Sequence, residues 1–304
     1  MRFRESGRLD TSVVQDRRGG GGRGGGRGLA VGGGGLGLVG VLVVVLVQVL
    51  GGGGDPASLA GTFGQLGSGQ TADNTELQQS CQTGADANDS VECAVVAEID
   101  SIQDYWGQQL GPRYVPADTV FFAGSVPTAC GGATSGSGPF YCPGDQLVYI
   151  DLSFFDDLRT QFGAAGGTFV NAYVLAHEYG HHVQNLLGTN RQVDPGESGP
   201  TSGSVRLELQ ADCYAGTWAT HAETVPDESG QPLISDITDD DIARALDAAG
   251  RIGDDFIQQN LGSGTVDQNS FTHGSSEQRQ RWFSTGYSSG DPARCDTFAT
   301  SDLG

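Results

Sequence analysis

Residues 29–50, "LAVGGGGLGLVGVLVVVLVQVL", carry no charge and are mostly apolar. Twenty-two residues in a helix reach roughly 33 Å, close to the ~30 Å hydrocarbon core of a bilayer, so the run predicts one N-terminal transmembrane helix. Beyond it the apolar positions recur with helical period. Val91, Val95, Ile99, Ile102, Trp106 and Leu110 step by threes and fours, which predicts an amphipathic helix from Asp89 to Leu110. "TVFFAGSV" (119–126) and "QLVYIDL" (146–152) predict strands, with a loop at 131–144 between them. Helices are predicted at 153–163 (opened by Ser153), 168–187 (stopped by Gly188), 203–221, 238–259 (opened by Thr238 and a run of acids) and 275–287. The sum is an α+β chain, dominated by helices, with a small sheet.

Composition divides the chain. Residues 1–28 hold seven of its 16 basic residues, all Arg, while the remainder carries most of the net charge of −21. So acidic a surface excludes nucleic acid as a partner, because phosphate contacts need cations. The expected organisation is a disordered basic Gly/Arg-rich cytoplasmic arm (1–28), the transmembrane helix (29–50), a flexible Gly/Ser/Thr-rich linker (51–80) and a folded domain (81–304). Arg-rich flanks stay cytoplasmic, so the folded domain is expected outside the cell membrane, on a single-pass anchor. A secretory signal cleaved near Ser58-Leu59-Ala60 is the alternative. All six cysteines follow the apolar run, which fits an oxidising compartment. Short loops suggest Cys81–Cys93 and Cys130–Cys142, which leaves Cys213 with Cys295.

Three of the five histidines fall within six residues of "YVLAHEYGHHVQNLLG" (173–188). His177 and His181 are four apart, one turn along the same helix face. Two imidazoles so placed can grip one ion, most often Zn²⁺, and Glu178 between them can serve an open coordination position as general base. His182 falls about 100° further round and is left out. A zinc site of this kind needs a third protein ligand. "RLELQADCYAGTW" (206–218) offers Glu208, with Asp212 four residues on as the carboxylate that orients a ligating histidine. Unpaired carboxylates on so apolar a helix would be costly. His221 and His273 are the other possible third ligands.

"AHEYGHHVQNLLG" together with "LELQADCYAG" resembles a bacterial family of membrane-anchored neutral zinc metallopeptidases. The opening "MRFRESGRLDTSVVQDRRG", the Gly-rich apolar run, "ACGGATSGSGPFYCPGDQLVYIDLSFFDDL" and "THGSSEQRQRWFSTGY" are similar too, so the resemblance covers nearly the whole chain. It implies a zincin-like fold, one Zn²⁺ per chain and peptide or protein substrates. It also implies His177, His181 and Glu208 as ligands and Glu178 as the base.

The expected reaction is hydrolysis of a peptide bond by a zinc-activated water that Glu178 deprotonates. "QLVYIDL" is the expected strand for an extended substrate. His273 or Tyr214 is the expected second donor to the developing oxyanion. Arg279 and Arg281 are expected to pair with structural acids. The competing class is a non-catalytic zinc-containing cell-surface binding domain, its site closed by a fourth ligand such as His182 or His273.

Overall fold

The computed structural model describes residues 1–19, 71–194 and 196–304; the expected membrane helix at 29–50 lies outside them. Among the described residues no helix is long and apolar enough to cross a membrane. The elements in chain order are β1 (Arg2–Phe3), β2 (Val14–Asp16), α1 (Thr75–Ser80), α2 (Gly84–Asp89), α3 (Val91–Leu110), β3 (Thr119–Phe121), β4 (Ser125–Thr128), β5 (Gly131–Thr134), β6 (Phe140–Cys142), β7 (Leu147–Ile150), α4 (Phe154–Thr160), α5 (Thr168–Leu187), α6 (Gly203–His221), β8 (Ile234–Asp236), α7 (Asp239–Arg251), α8 (Asp254–Asn260) and α9 (Ser276–Ser289). The class is α+β with helices in the majority, as the periodicity predicts.

The main sheet has the order β2-β3-β7-β6. β2, β3 and β7 run parallel, and β6 turns back antiparallel along β7. Separate two-stranded sheets join β1 to β8 and β4 to β5. One face of the main sheet meets the helices: Val14, Phe121, Val148 and Ile150 join α3, α5 and α6 in one apolar core. Parallel strands buried this way read as continuous apolar runs, as "TVFF" and "LVYI" do.

The central helices approach each other closely because small residues line their contacts. Gly180 on α5 faces Ala211 on α6, where a methyl group would stand 3.0 Å from the Ala211 Cα. Gly286 on α9 lies against the Cys213 carbonyl of α6, and Gly216 on α6 against the Phe283 carbonyl of α9. The disulfides are Cys81–Cys93, Cys130–Cys142 and Cys213–Cys295, the pairing that loop length suggests.

Several expectations are corrected. Residues 1–19 are no disordered arm: they supply β1 and the edge strand β2, with Phe3 and Val14 in the core. Their Arg-rich composition hid two short strands that gain order only by pairing with distant partners. The linker expected at 51–80 already contains α1, with Leu77 buried, so the domain begins before Cys81. The loop expected at 131–144 holds β5 and β6. The strand expected at 119–126 ends at Phe121, and its last residues begin β4. The helix expected at 238–259 breaks into α7 and α8 at Gly253, where the Ser276 backbone passes too close for any side chain.

The Gly286 contact generates a test. A methyl group there overlaps the Cys213 carbonyl oxygen, which belongs to backbone and cannot swing aside. Gly286→Ala is expected to destabilise the domain by about 1–3 kcal/mol, as overpacking does. Denaturant unfolding of both proteins measures it, and an unchanged midpoint would mean α6 and α9 have room to separate.

Candidate metal centre and active site

α5 and α6 carry the metal-binding trio. With no side chain at Gly180, α6 lies close enough for Glu208 to reach the histidines one turn away on α5. His177 Nε2 is 3.2 Å from Glu208 Oε2, His181 Nε2 is 3.3 Å from Glu208 Oε1, and the two Nε2 atoms are 3.2 Å apart. Nitrogens bound tetrahedrally at 2.0–2.1 Å from one zinc are separated by about 3.3 Å. The spacing therefore fits a single ion.

The chemistry of the donors fits as well. His177 Nδ1 donates to Asp212 Oδ1 at 2.9 Å. His181 Nδ1 lies 2.9 Å from Gln184 Oε1, and the Gln184 amide nitrogen is committed to the Leu207 carbonyl, so this oxygen accepts. Both Nδ1 atoms thus bear hydrogen, and both Nε2 atoms are left to face each other and a carboxylate. Such a convergence of lone pairs needs a cation, either a metal or a proton. The metal-free chain takes the proton. Burial pushes the His177 imidazolium down, but the charges and hydrogen bonds of Asp212 and Glu208 outweigh it and raise the pKa to about 10. Burial likewise pushes the Glu208 carboxyl up, and the two histidines hold it well below the ordinary range. Among the described residues no fourth His, Cys, Asp or Glu joins the trio. His182 is tied by Nδ1 to the Tyr141 hydroxyl and by Nε2 to the Val115 carbonyl, as its place on the helix requires. His221 bonds the Gly290 carbonyl away from the site.

Asp212 orients His177, as its spacing from Glu208 predicts, but it does so within a larger network. It is wholly buried and accepts from the Tyr173 hydroxyl at 2.6 Å, from His177, and from Arg279 through Nε and Nη2 at 2.9 and 3.0 Å. Burial alone would raise the Asp212 carboxyl; Arg279 and His177 lower it. Arg279 therefore pairs with an acid, as expected, but that acid belongs to the metal site. One signal pointed to it: on α9, Arg279 shares the buried face of Trp282, Phe283 and Gly286. Arg281 lies on the exposed side with Asp302.

The trio opens into a cleft of about 350 Å³. Glu178 lines it, and among the described residues no side chain hydrogen-bonds to its carboxyl. Burial raises its carboxyl above the ordinary range, offset in part by the two histidines and by the Tyr141 backbone N–H. His273 lines the same cleft outside the trio, which removes it as a ligand. Its Nδ1 is 3.2 Å from Asp254 Oδ1, and Asp254 Oδ2 also accepts the backbone N–H groups of Thr272, His273 and Gly274. Burial works against the His273 imidazolium, but Asp254 and Glu208 raise its pKa above 6.5. Asp254 escaped the sequence reading because 238–259 reads as one helix, whereas it opens α8 after the break at Gly253. Tyr214 packs on Trp106 and lies outside the cleft, so it is no oxyanion donor. The substrate strand is corrected too: β7 is paired on both sides, and the free edge beside the cleft is β6, whose Phe140 and Tyr141 line it.

Residues 1–298 match the family model described as "Putative neutral zinc metallopeptidase". The chain belongs to this family. An uncharacterized protein of Mycobacterium tuberculosis H37Rv is 52% identical over 225 residues, covering 74% of this chain and 76% of its own. The uncharacterized protein YpfJ of Escherichia coli K12 is 41% identical over 252 residues, covering 80% of this chain and 84% of its own. No solved structure matches. Family and geometry agree on zinc, with His177, His181 and Glu208 as the group able to hold it.

Zinc must displace the proton held between His177 and Glu208. Uptake at pH 7 is expected to release about one proton, and apparent affinity to rise roughly tenfold per pH unit up to about pH 10. Calorimetry in buffers of different ionisation enthalpy measures the release. Glu208→Ala should lose most of the metal; full zinc content in that variant would remove Glu208 from the trio.

Proposed function

We propose that this member of the zinc metallopeptidase family is an active peptidase. It hydrolyses peptide bonds with Glu178 as general base and His273 as the donor to the developing oxyanion. The observation that carries the reading is Glu178 itself: a buried carboxylate beside the metal trio, facing the cleft with no side-chain partner. One zinc ion per chain would supply the Lewis acidity that acidifies a water and polarises a carbonyl.

The chain's own groups do the rest. An extended substrate lies along the free edge of β6, taking up backbone hydrogen bonds that no neighbouring strand uses. Glu178 takes a proton from the attacking water and passes it to the leaving amine. Its raised pKa suits both halves of that transfer. His273, whose imidazolium Asp254 favours, offers a charged N–H to the oxygen that gains negative charge. Phe154, Phe162, Val174, Ile252 and Ile257 give the cleft an apolar wall, which favours substrates with bulky apolar side chains. The three disulfides support action outside the cytoplasm. A closed, purely structural zinc site would need a fourth protein ligand, and the trio has none among the described residues.

Glu178→Gln is expected to keep full zinc and lose at least ~10²-fold in turnover, the low end of what a positioned base contributes. Cleavage of a peptide library by the zinc-loaded protein, beside metal analysis of the variant, tests it. Zinc loss in the variant would instead make Glu178 a ligand. The alkaline limb tests His273. Its imidazolium is the active form, so kcat/KM falls as pH rises through its raised pKa. Asp254→Asn removes the anion that raises it, and the fall should begin at lower pH. An unmoved alkaline limb would mean that His273 does not donate.

A further inference from the structure

We propose that residues 1–18 stand on the same side of the membrane as the metal-binding helices. The inference does not rest on catalytic activity.

The first eighteen residues are built into the domain. β2 pairs in parallel register with β3, Val14 against Thr119 and Asp16 against Phe121. Arg4 N–H donates to the Leu233 carbonyl, Gly84 N–H to the Gly7 carbonyl and Leu9 N–H to the Gln82 carbonyl, each at 2.8–3.1 Å. Phe3 exchanges both of its backbone groups with the Asn88 amide at 2.9 Å. Gly84 has no room for a side chain because the Arg4 carbonyl lies against it.

The two ends of the intervening segment also meet. Asp73 N–H donates to the Asp16 carbonyl at 2.8 Å, and the Asn74 side chain accepts the Asp16 N–H at 2.9 Å. The chain therefore leaves the domain and re-enters it at one spot. Asp16 and Asp73 thus stand on one side of any membrane.

Three of the seven arginines that suggest a cytoplasmic flank have other work here. Arg4 pairs with Asp227, and Arg18 with Asp16 and Glu92 while its guanidinium lies over the Phe121 ring. Arg17 bonds the Gln15 side chain. These cations are held by the folded domain, where they serve pairing rather than orientation in a membrane.

The test uses the full-length chain in bacterial cells. All six native cysteines are in disulfides, so a thiol introduced at exposed Ser12 or exposed Ser301 is the only target for a membrane-impermeant maleimide. Ser12→Cys and Ser301→Cys are expected to respond alike, both labelled in intact cells or both only after permeabilisation. Labelling of one in intact cells and of the other only after permeabilisation would overturn the proposal. A second full-length variant, Val14→Asp, puts a charge where β2 meets the core. It is expected to lower the melting temperature of the domain. An unchanged melting temperature would show that residues 1–18 stand apart from the domain, and would also overturn the proposal.

Discussion

The structure depends on one buried carboxylate. Asp212, on α6, sits where α5 and α9 meet that helix, and each of the two brings it a partner: Tyr173 and His177 from α5, Arg279 from α9. A carboxylate so deep is tolerable only when its charge is matched and its oxygens are filled; removing one partner of such a pair costs about 3–5 kcal/mol. The same contacts set the imidazole of His177 in the tautomer that turns Nε2 toward Glu208 and His181. Helix packing and ligand geometry are therefore one problem with one solution. The small residues serve it too: Gly180, Gly216 and Gly286 remove the side chains that would hold the three helices too far apart for Asp212 to touch all its partners.

That coupling explains what could be read from the chain beforehand. His177, Glu178 and His181 were legible because their relation is local: helical period alone places two imidazoles on one face. Glu208 and Asp212 were legible because carboxylates at a four-residue step on an apolar helix demand partners. The disulfides followed from loop length. What stayed hidden was set by long-range contact. Asp254 depends on a helix break at Gly253, which lies against the Ser276 backbone, distant in sequence. Arg279 lay on a readable apolar face, but only the packing of α9 on α6 shows which acid it meets. The choice of β6 over β7 as the free edge depends on strand order, which no local pattern encodes.

The N-terminus is the sharpest case of composition misleading. Seven arginines and many glycines in residues 1–28 describe a solvated arm. That reading treats the segment by itself. In the fold, Phe3 and Val14 are two isolated apolar positions that each find a place in the core, and Asn74 ties Asp16 to the chain that returns to the domain. Pairing between strands so distant in sequence must repay the entropy of closing a long loop. The dense hydrogen bonding of Arg4, Gly7 and Leu9 to distant backbone, beside the ion pairs of Arg4 and Arg18, is how these eighteen residues do so.

Two buried glutamates, on neighbouring helices and in one cleft, are shifted in opposite directions. Glu208 is desolvated, yet two imidazoles face its oxygens and hold it firmly ionised, as a ligand must be. Glu178 is desolvated as well, but it has no side-chain partner, and burial prevails over the more distant histidines and raises it. A group held ionised by its neighbours gives up little by binding a metal and cannot readily carry a proton. A group raised toward neutrality can take a proton and return it. Residue type cannot make that distinction, since both are glutamates on helices. The difference lies in where each oxygen points: Glu208 across the helix contact at the histidines, Glu178 out into the cleft.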